Sequence, residues 1–240
     1  MGQGDAAVDR CLENLQSVRV RVAEACRRAA RDPGTVTVVA VTKYVGPELA
    51  RALVAAGCRD LAESRPQVLW SKAEALSDLV PPPRWHLVGH LQRNKVRRTL
   101  GCVTLLHSLD SLRLLEACAA EAAVLNVTCA ALVEVNLTGA PGRTGVSEAD
   151  AEAIVAASAA LPQVQLRGLM GMAGVPDGDP GAARRDFAHL REIRDRLAAR
   201  TGSRLEELSM GMSGDYEAAI LEGATLVRIG SALFEGLGTG

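Results

Sequence analysis

Aromatic residues make up only 2% of this 240-residue chain. Its core must therefore be built from Ala, Val, Leu and Ile, and it lacks the stacking platforms of single-strand nucleic-acid binders. Charge of one sign is also missing: the formal net charge is −1. That argues against a global nucleic-acid or anionic-membrane binder. No apolar run approaches the ~20 residues of a membrane span. The amino terminus lacks the basic and apolar regions of a signal peptide. Ala6 and Ala7 stand where a myristoylation signal would carry Ser or Thr. The expected compartment is the cytoplasm. The six cysteines (Cys11, Cys26, Cys58, Cys102, Cys118 and Cys129) form no Cys-x-x-Cys pair. They read as small buried hydrophobes in a reducing compartment. His86 and His90 have a helical interval, but Gly89 and the extended pattern before it argue against a helix. No metal is expected.

What the chain does hold is 48% hydrophobic residues, enough for a sizeable core. The strongest strand signal is Thr35–Lys43, β-branched almost throughout and bounded by Pro33-Gly34 and Gly46-Pro47. A continuous apolar run of that kind suits a strand buried on both faces of a parallel sheet. A single lysine stands at its carboxyl end, where α/β folds place their chemistry.

An amphipathic helix over Ala7–Ala30 precedes this strand. Gly46-Pro47 opens a second helix, which Gly57 ends. A weak strand over Cys58–Ala62 leads into a helix from Pro66 to Leu76. Pro81–Pro83 is a rigid connector before a strand at Arg84–Val88 and a basic helix at Arg93–Leu100. Cys102–Leu106 is a strand, and Asp110 or Ser108 caps the helix Leu112–Ala123. The strand Val127–Asn136 and the loop Thr138–Thr144 follow. Ser147-Glu-Ala-Asp150 reads as a capping box for a helix ending near Leu161. Val164–Met172 is a strand, Gly174–Gly181 a loop, and Ala182–Ala199 a charged helix. Glu206–Met210 and Thr225–Ile229 are the last strands. Between them lie the loop Gly211–Asp215 and the helix Tyr216–Leu221, which Asp215 is expected to cap. Gly230-Ser231 leads into a helical turn through Phe234. Eight strands alternating with helices predict a single (β/α)₈ barrel over residues 1–240, with an extra N-terminal helix. An open doubly wound sheet is the other candidate, but no Gly-x-Gly-x-x-Gly follows the first strand.

Barrels commonly bind phosphate at the loops after strands seven and eight. Those loops are Ser209-Met-Gly-Met-Ser213-Gly-Asp and Arg228-Ile-Gly230-Ser231. Both are rich in small residues and both offer a hydroxyl. Two ordinary turns would read the same way. Lys43 lies at strand one, next to strand eight in a closed barrel. It has three readings: a charge for the phosphate, an exposed lysine without function, or a Schiff-base amine for a phosphorylated aldehyde such as pyridoxal 5′-phosphate. His86 either approaches a ligand or is a satisfied inner-barrel histidine. Met170, Met172, Met210 and Met212 either contact a flat ring or pack the core. Gln92–Arg98 is a basic cluster that also reads as a solvated helix face.

Five stretches resemble the pyridoxal phosphate homeostasis proteins: Ala40-Val-Thr-Lys43, Trp85-His86-Leu-Val-Gly89-His-Leu91-Gln92-Arg-Asn94-Lys95, Arg167-Gly168-Leu169-Met170, Ser209-Met-Gly-Met-Ser213-Gly-Asp215 and Val227-Arg228-Ile-Gly230-Ser231-Ala-Leu-Phe234. The resemblance runs from about Val8 to Phe234. It implies a barrel like the N-terminal domain of alanine racemase, with pyridoxal phosphate as cofactor. It implies that Lys43 bonds the aldehyde, that Ser213, Gly230 and Ser231 bind the phosphate, and that Arg228 lies near the pyridine nitrogen. Met210 joins them as a ring contact. Ser64, in Ala62-Glu63-Ser64, stands where the family commonly has asparagine near the cofactor. The loop Thr138–Arg143 keeps a cation but lacks the family's acid.

Three functions follow. The first is a reversible, non-catalytic carrier of pyridoxal phosphate, with other B6 vitamers and apo-enzymes as further partners, acting as a monomer. The second is a small pyridoxal-phosphate-dependent amino-acid racemase. That activity usually needs a second acid–base group, supplied in alanine racemase by a second domain. With the last strand close to Gly240 such a domain is not expected, and Tyr44 would alternate away from Lys43. The third is an unrelated barrel enzyme acting on a phosphorylated metabolite.

Overall fold

The computed structural model describes residues 3–140, 142–174, 179 and 181–237. Eight parallel strands close into a barrel in chain order: β1 Thr37–Val41, β2 Asp60–Glu63, β3 Arg84–Leu87, β4 Val103–Leu109, β5 Cys129–Val135, β6 Val164–Gly171, β7 Glu207–Ser209 and β8 Leu226–Ile229. Helix α1, Gln3–Arg28, precedes the barrel. Between strands run α2 Pro47–Ala55, α3 Pro66–Ala75, α4 Val96–Leu100, α5 Leu112–Leu125, α6 Glu148–Ser158, α7 Ala182–Thr201 and α8 Tyr216–Leu221. This is the (β/α)₈ architecture that the strand–helix rhythm predicts.

Local chemistry explains the element ends. Pro47 sits in the first turn of α2, where its missing N–H costs nothing. Ser147 Oγ accepts the Asp150 N–H at 3.1 Å and caps α6. Three expectations shift. The strand begins at Thr37, because Thr35 belongs to a 3₁₀ turn over Pro33–Thr35 that Asp32 caps by accepting the Gly34 N–H. It ends at Val41, the last residue paired with β2, so Thr42 and Lys43 enter a turn. Helix α5 is capped by Ser111, whose Oγ accepts the Leu114 N–H at 3.2 Å. Asp110 is engaged instead by His90, and the Ser108 hydroxyl donates to Gly89 O. Asp215 holds the N-cap position of α8 but makes no side-chain bond into the helix; its carboxylate turns back and accepts the Met212 N–H at 2.6 Å. The predicted loops Thr138–Thr144 and Gly174–Gly181 contain residues 141, 175–178 and 180, which lie outside the described residues.

The strands bury two separate cores. An outer core between strands and helices includes Leu53, Leu69, Leu106, Leu115 and Phe187. A small inner cluster fills the barrel with Val39, Ala62, Leu105, Leu132, Met170 and Leu226. The period-2 alternation of strands produces this division. The same alternation carries polar groups inside: Asp60, His86, His107, Glu134, Ser209 and Arg228 are all buried. Polar groups in such a place must be bonded to one another.

Candidate functional site

The register of β1 with β8 sets Ala40 beside Ile229. One residue on, a Cβ added to Gly230 would lie 3.5 Å from Val41 O. The turn that carries Lys43 therefore leaves the barrel beside the turn that carries Gly230 and Ser231.

Thr42, the residue before Lys43, is fully buried and held from two sides. Its carbonyl accepts from Lys72 Nζ at 2.7 Å. Its hydroxyl donates to Glu63 Oε1 at 2.6 Å, and Lys72 meets the same oxygen at 2.5 Å. Glu63 Oε2 is buried without a hydrogen-bond partner. A buried ion pair thus clamps the start of the turn. Lys43 itself is exposed, with Nζ 4.7 Å from the centroid of the Tyr44 ring. Tyr44 does not alternate away from the lysine, because a turn and not a strand carries both. The chain has three lysines. Lys72 is locked in its ion pair and Lys95 is half-buried, so Lys43 is the one with an exposed amine.

The loops after β7 and β8 meet at one hydroxyl. Ser213 Oγ accepts the Gly230 N–H at 3.3 Å and the Ala232 N–H at 3.2 Å. A hydroxyl that accepts twice keeps its own proton for a further acceptor. Gly211 makes this loop possible: its φ is +91°, and a Cβ there would come 2.6 Å from that of Ala219. Ser231, exposed, opens a 3₁₀ turn over Ser231–Leu233. A cavity of about 780 Å³ reaches this loop, lined by Met212, Ser213, Asp215, Arg21, Arg143 and Arg184. Among the described residues no hydrogen bond joins Lys43 to Ser213 or Ser231.

Arg228 lies below this loop, inside the barrel. Its Nη1 donates to Ser209 Oγ at 2.7 Å and its Nη2 to Gly171 O at 3.1 Å. Burial pulls its pKa down to about 10, against the favourable charges of Asp215 and Glu134. Ser209 Oγ lies 2.8 Å from His107 Nδ1, and His107 Nε2 lies 2.8 Å from His86 Nδ1. His86 Nε2 is 3.0 Å from Asp60 Oδ1. His86 is thus the satisfied inner-barrel histidine. Burial, reinforced by the nearby charges of His86 and Arg228, holds the His107 pKa well below the usual histidine value. Burial also raises Asp60, but bonds from His86 and Arg84 outweigh it and hold its carboxyl below the ordinary range.

Met210 is fully buried in the outer core. It follows inward-facing Ser209, so alternation turns it away from the barrel interior. Ser64 is half-buried at the end of β2, its carbonyl pressed against Gly89, where a Cβ would approach to 2.2 Å. The basic cluster is largely spent on structure: Arg97 pairs with Glu121, and Arg98 lies 4.4 Å over the Trp70 ring. Sequence reasoning missed Asp60, His107, Ser209, Glu63 and Lys72. The available signal was a polar residue at an inward register position of an otherwise apolar strand, as in Leu105-Leu106-His107.

The alanine racemase N-terminal domain family model matches residues 14–237. A pyridoxal phosphate homeostasis protein of Aquifex aeolicus is 38% identical over 222 residues, covering 92% of this chain and 96% of that protein. One of Pseudomonas aeruginosa is also 38% identical, with 92% and 94% covered. PipY of Synechococcus elongatus, solved with pyridoxal phosphate bound, superposes with a TM-score of 0.81 at 34% identity, covering 93% of this chain and 99% of that one. An alanine racemase of Clostridium difficile shares the fold at 14% identity and a TM-score of 0.73, with 94% of this chain and 56% of that one covered.

Proposed function

This chain belongs to the pyridoxal phosphate homeostasis proteins, and we propose that it holds pyridoxal 5′-phosphate reversibly through Lys43 and releases it without turning over amino acids. One observation carries this reading. Two backbone N–H groups converge with the Ser213 hydroxyl beside the strand end that leads to Lys43. When bound, the cofactor supplies an aldehyde that condenses reversibly with a primary amine, releasing water.

The residues fit that group. Lys43 offers the exposed amine. Ser213 presents its hydroxyl proton to a phosphate oxygen, and the N–H groups of Gly230 and Ala232 favour the same anion. Ser231 adds a second hydroxyl at the first residue of its turn. Ser64 follows β2, two strands from β8, and in this reading stands where a small polar side chain would face the ligand. Met210 is left out of the set, being fully buried in the outer core. Arg228 would donate to the ring nitrogen of the bound cofactor. With its pKa at about 10 it stays charged at neutral pH and has no acceptor lone pair. It leaves the ring nitrogen unprotonated, which weakens the ring as an electron sink and favours storage over carbanion chemistry. The same reading has the protein act as a cytoplasmic monomer, with other B6 vitamers and apo-enzymes as partners. No helix among the described residues is long and apolar enough to cross a membrane.

The test is borohydride reduction after incubation with pyridoxal phosphate, followed by peptide mass mapping. A pyridoxyl adduct on Lys43, absent from Lys43→Ala, is the expected result. Labelling spread evenly over Lys72 and Lys95 would overturn the assignment. Amino-acid racemisation at enzyme-like rates would overturn the carrier reading in favour of a small racemase.

A further inference from the structure

We infer that Arg228, Ser209, His107, His86 and Asp60 form one directional hydrogen-bond chain, and that it makes His107, His86 and Asp60 positioning residues for the contact between Arg228 and the ligand's ring nitrogen. The inference rests on the reading that this site takes pyridoxal phosphate.

The links span the barrel interior from β8 through β7, β4 and β3 to β2. They measure 2.7 Å, 2.8 Å, 2.8 Å and 3.0 Å. All five residues are buried, and His107 and Ser209 have no exposed surface at all. The ends fix the direction. A guanidinium only donates, and a carboxylate only accepts. Asp60 therefore receives the Nε2 proton of His86. His86 Nδ1 must then accept the Nε2 proton of His107. His107 Nδ1 accepts the hydroxyl proton of Ser209, and Ser209 accepts from Arg228. Each link thus has one donor and one acceptor, and Asp60 Oδ1 also accepts from Arg84 Nε at 2.8 Å. A proton added at His86 Nδ1 would reverse the next link and leave the Ser209 hydroxyl proton without an acceptor in the chain.

A packing role alone would not call for this arrangement. Glu134 apart, the neighbouring inward positions are apolar, with Leu105 two residues before His107 and Ala62 two after Asp60. Apolar residues at the same positions would avoid burying polar atoms. What the chain adds is a single orientation for Arg228. Ser209 and Gly171 O hold two of its nitrogens, leaving N–H groups over for a ligand. Arg84 anchors the far end on the second oxygen of Asp60. The anchoring charge thus lies on β2 while the group it orients lies on β8.

The experiment has a ligand-free arm and a binding arm. Nitrogen-15 NMR of the histidine rings in the cofactor-free protein should show His86 and His107 both neutral and both carrying their proton on Nε2. Binding is then measured with pyridoxal phosphate and with its deaza analogue, which has carbon in place of the ring nitrogen. His107→Leu and Ser209→Ala should weaken pyridoxal phosphate binding about tenfold, the scale of losing a bond to a charged group. They should leave the deaza analogue unchanged. His107→Gln, whose amide donates on one side and accepts on the other, should restore most of the loss. Ser209→Ala also covers the case in which His107→Leu does not fold. Equal weakening of both ligands, no weakening of either, or an Nδ1 proton on His107 would overturn the inference. A wild-type chain that binds neither ligand would instead overturn the cofactor reading, and with it the ligand half of this one.

Discussion

The clamp under Lys43 gives a quantitative test of how this site is held. In Lys72→Met the aliphatic stem is kept and the charge is lost. Glu63 would stay 1% exposed, with Thr42 as its remaining donor and Oε2 unpartnered as before. The Thr42 carbonyl would suffer less, because the Val45 N–H also reaches it at 3.0 Å. The cost therefore comes from the stranded glutamate. Breaking a buried pair from one side costs about 3–5 kcal/mol, against about 0–1 kcal/mol for an exposed pair. The double variant Lys72→Met/Glu63→Leu removes both charges. The Thr42 hydroxyl can then turn to Ala62 O, already 3.4 Å away. That variant should recover to within about 1 kcal/mol of wild type, since apolar replacement of a buried pair is often neutral. Urea unfolding followed by circular dichroism reads both values from the midpoint at constant slope. A single-variant cost under about 1 kcal/mol would refute the reasoning, as would a double variant no better than the single.

Three more outcomes follow from the same geometry. His107 is held neutral in the folded state while the unfolded chain protonates near 6.5; the unfolded state then binds more protons below that pH. Stability should be full above pH 6.5 and fall as the pH drops through it, and His107→Gln should reduce that slope by about 1.4 kcal/mol per pH unit in urea titrations at pH 5 to 6. Ser213→Ala should weaken binding of pyridoxal phosphate much more than of unphosphorylated pyridoxal, and equal weakening would remove the hydroxyl from the phosphate site. Ser111→Ala should cost about 1 kcal/mol as a lost helix cap, whereas Asp110→Ala should leave the α5 cap intact; thermal melts separate the two.

Much of the architecture was legible along the chain. Apolar runs closed by Gly and Pro marked strands and helices because those residues fix local backbone choices within a few positions. Tyr216–Leu221 falls where the pattern predicts it, and α2 starts at Pro47 as expected. The motifs around Lys43, Ser213 and Gly230 pointed to the same mouth, because in a closed barrel the first and last strands are neighbours. The misses were also local competitions. Three hydroxyl or carboxylate groups, at 108, 110 and 111, stood ready to cap α5, and which one did so depended on what His90 and Gly89 took from the others.

Sequence alone determined the barrel and its strand order, since these follow from periodicity and turn chemistry, and it put a lysine where the first strand ends. Tertiary structure decided which buried polar groups answer one another. Asp60 and Arg228 lie far apart in sequence, and nothing along the chain says that two histidines and a serine from three other strands will join them. Closure of the barrel excludes water from its interior, so polar atoms there must pair with whatever the other strands bring within reach.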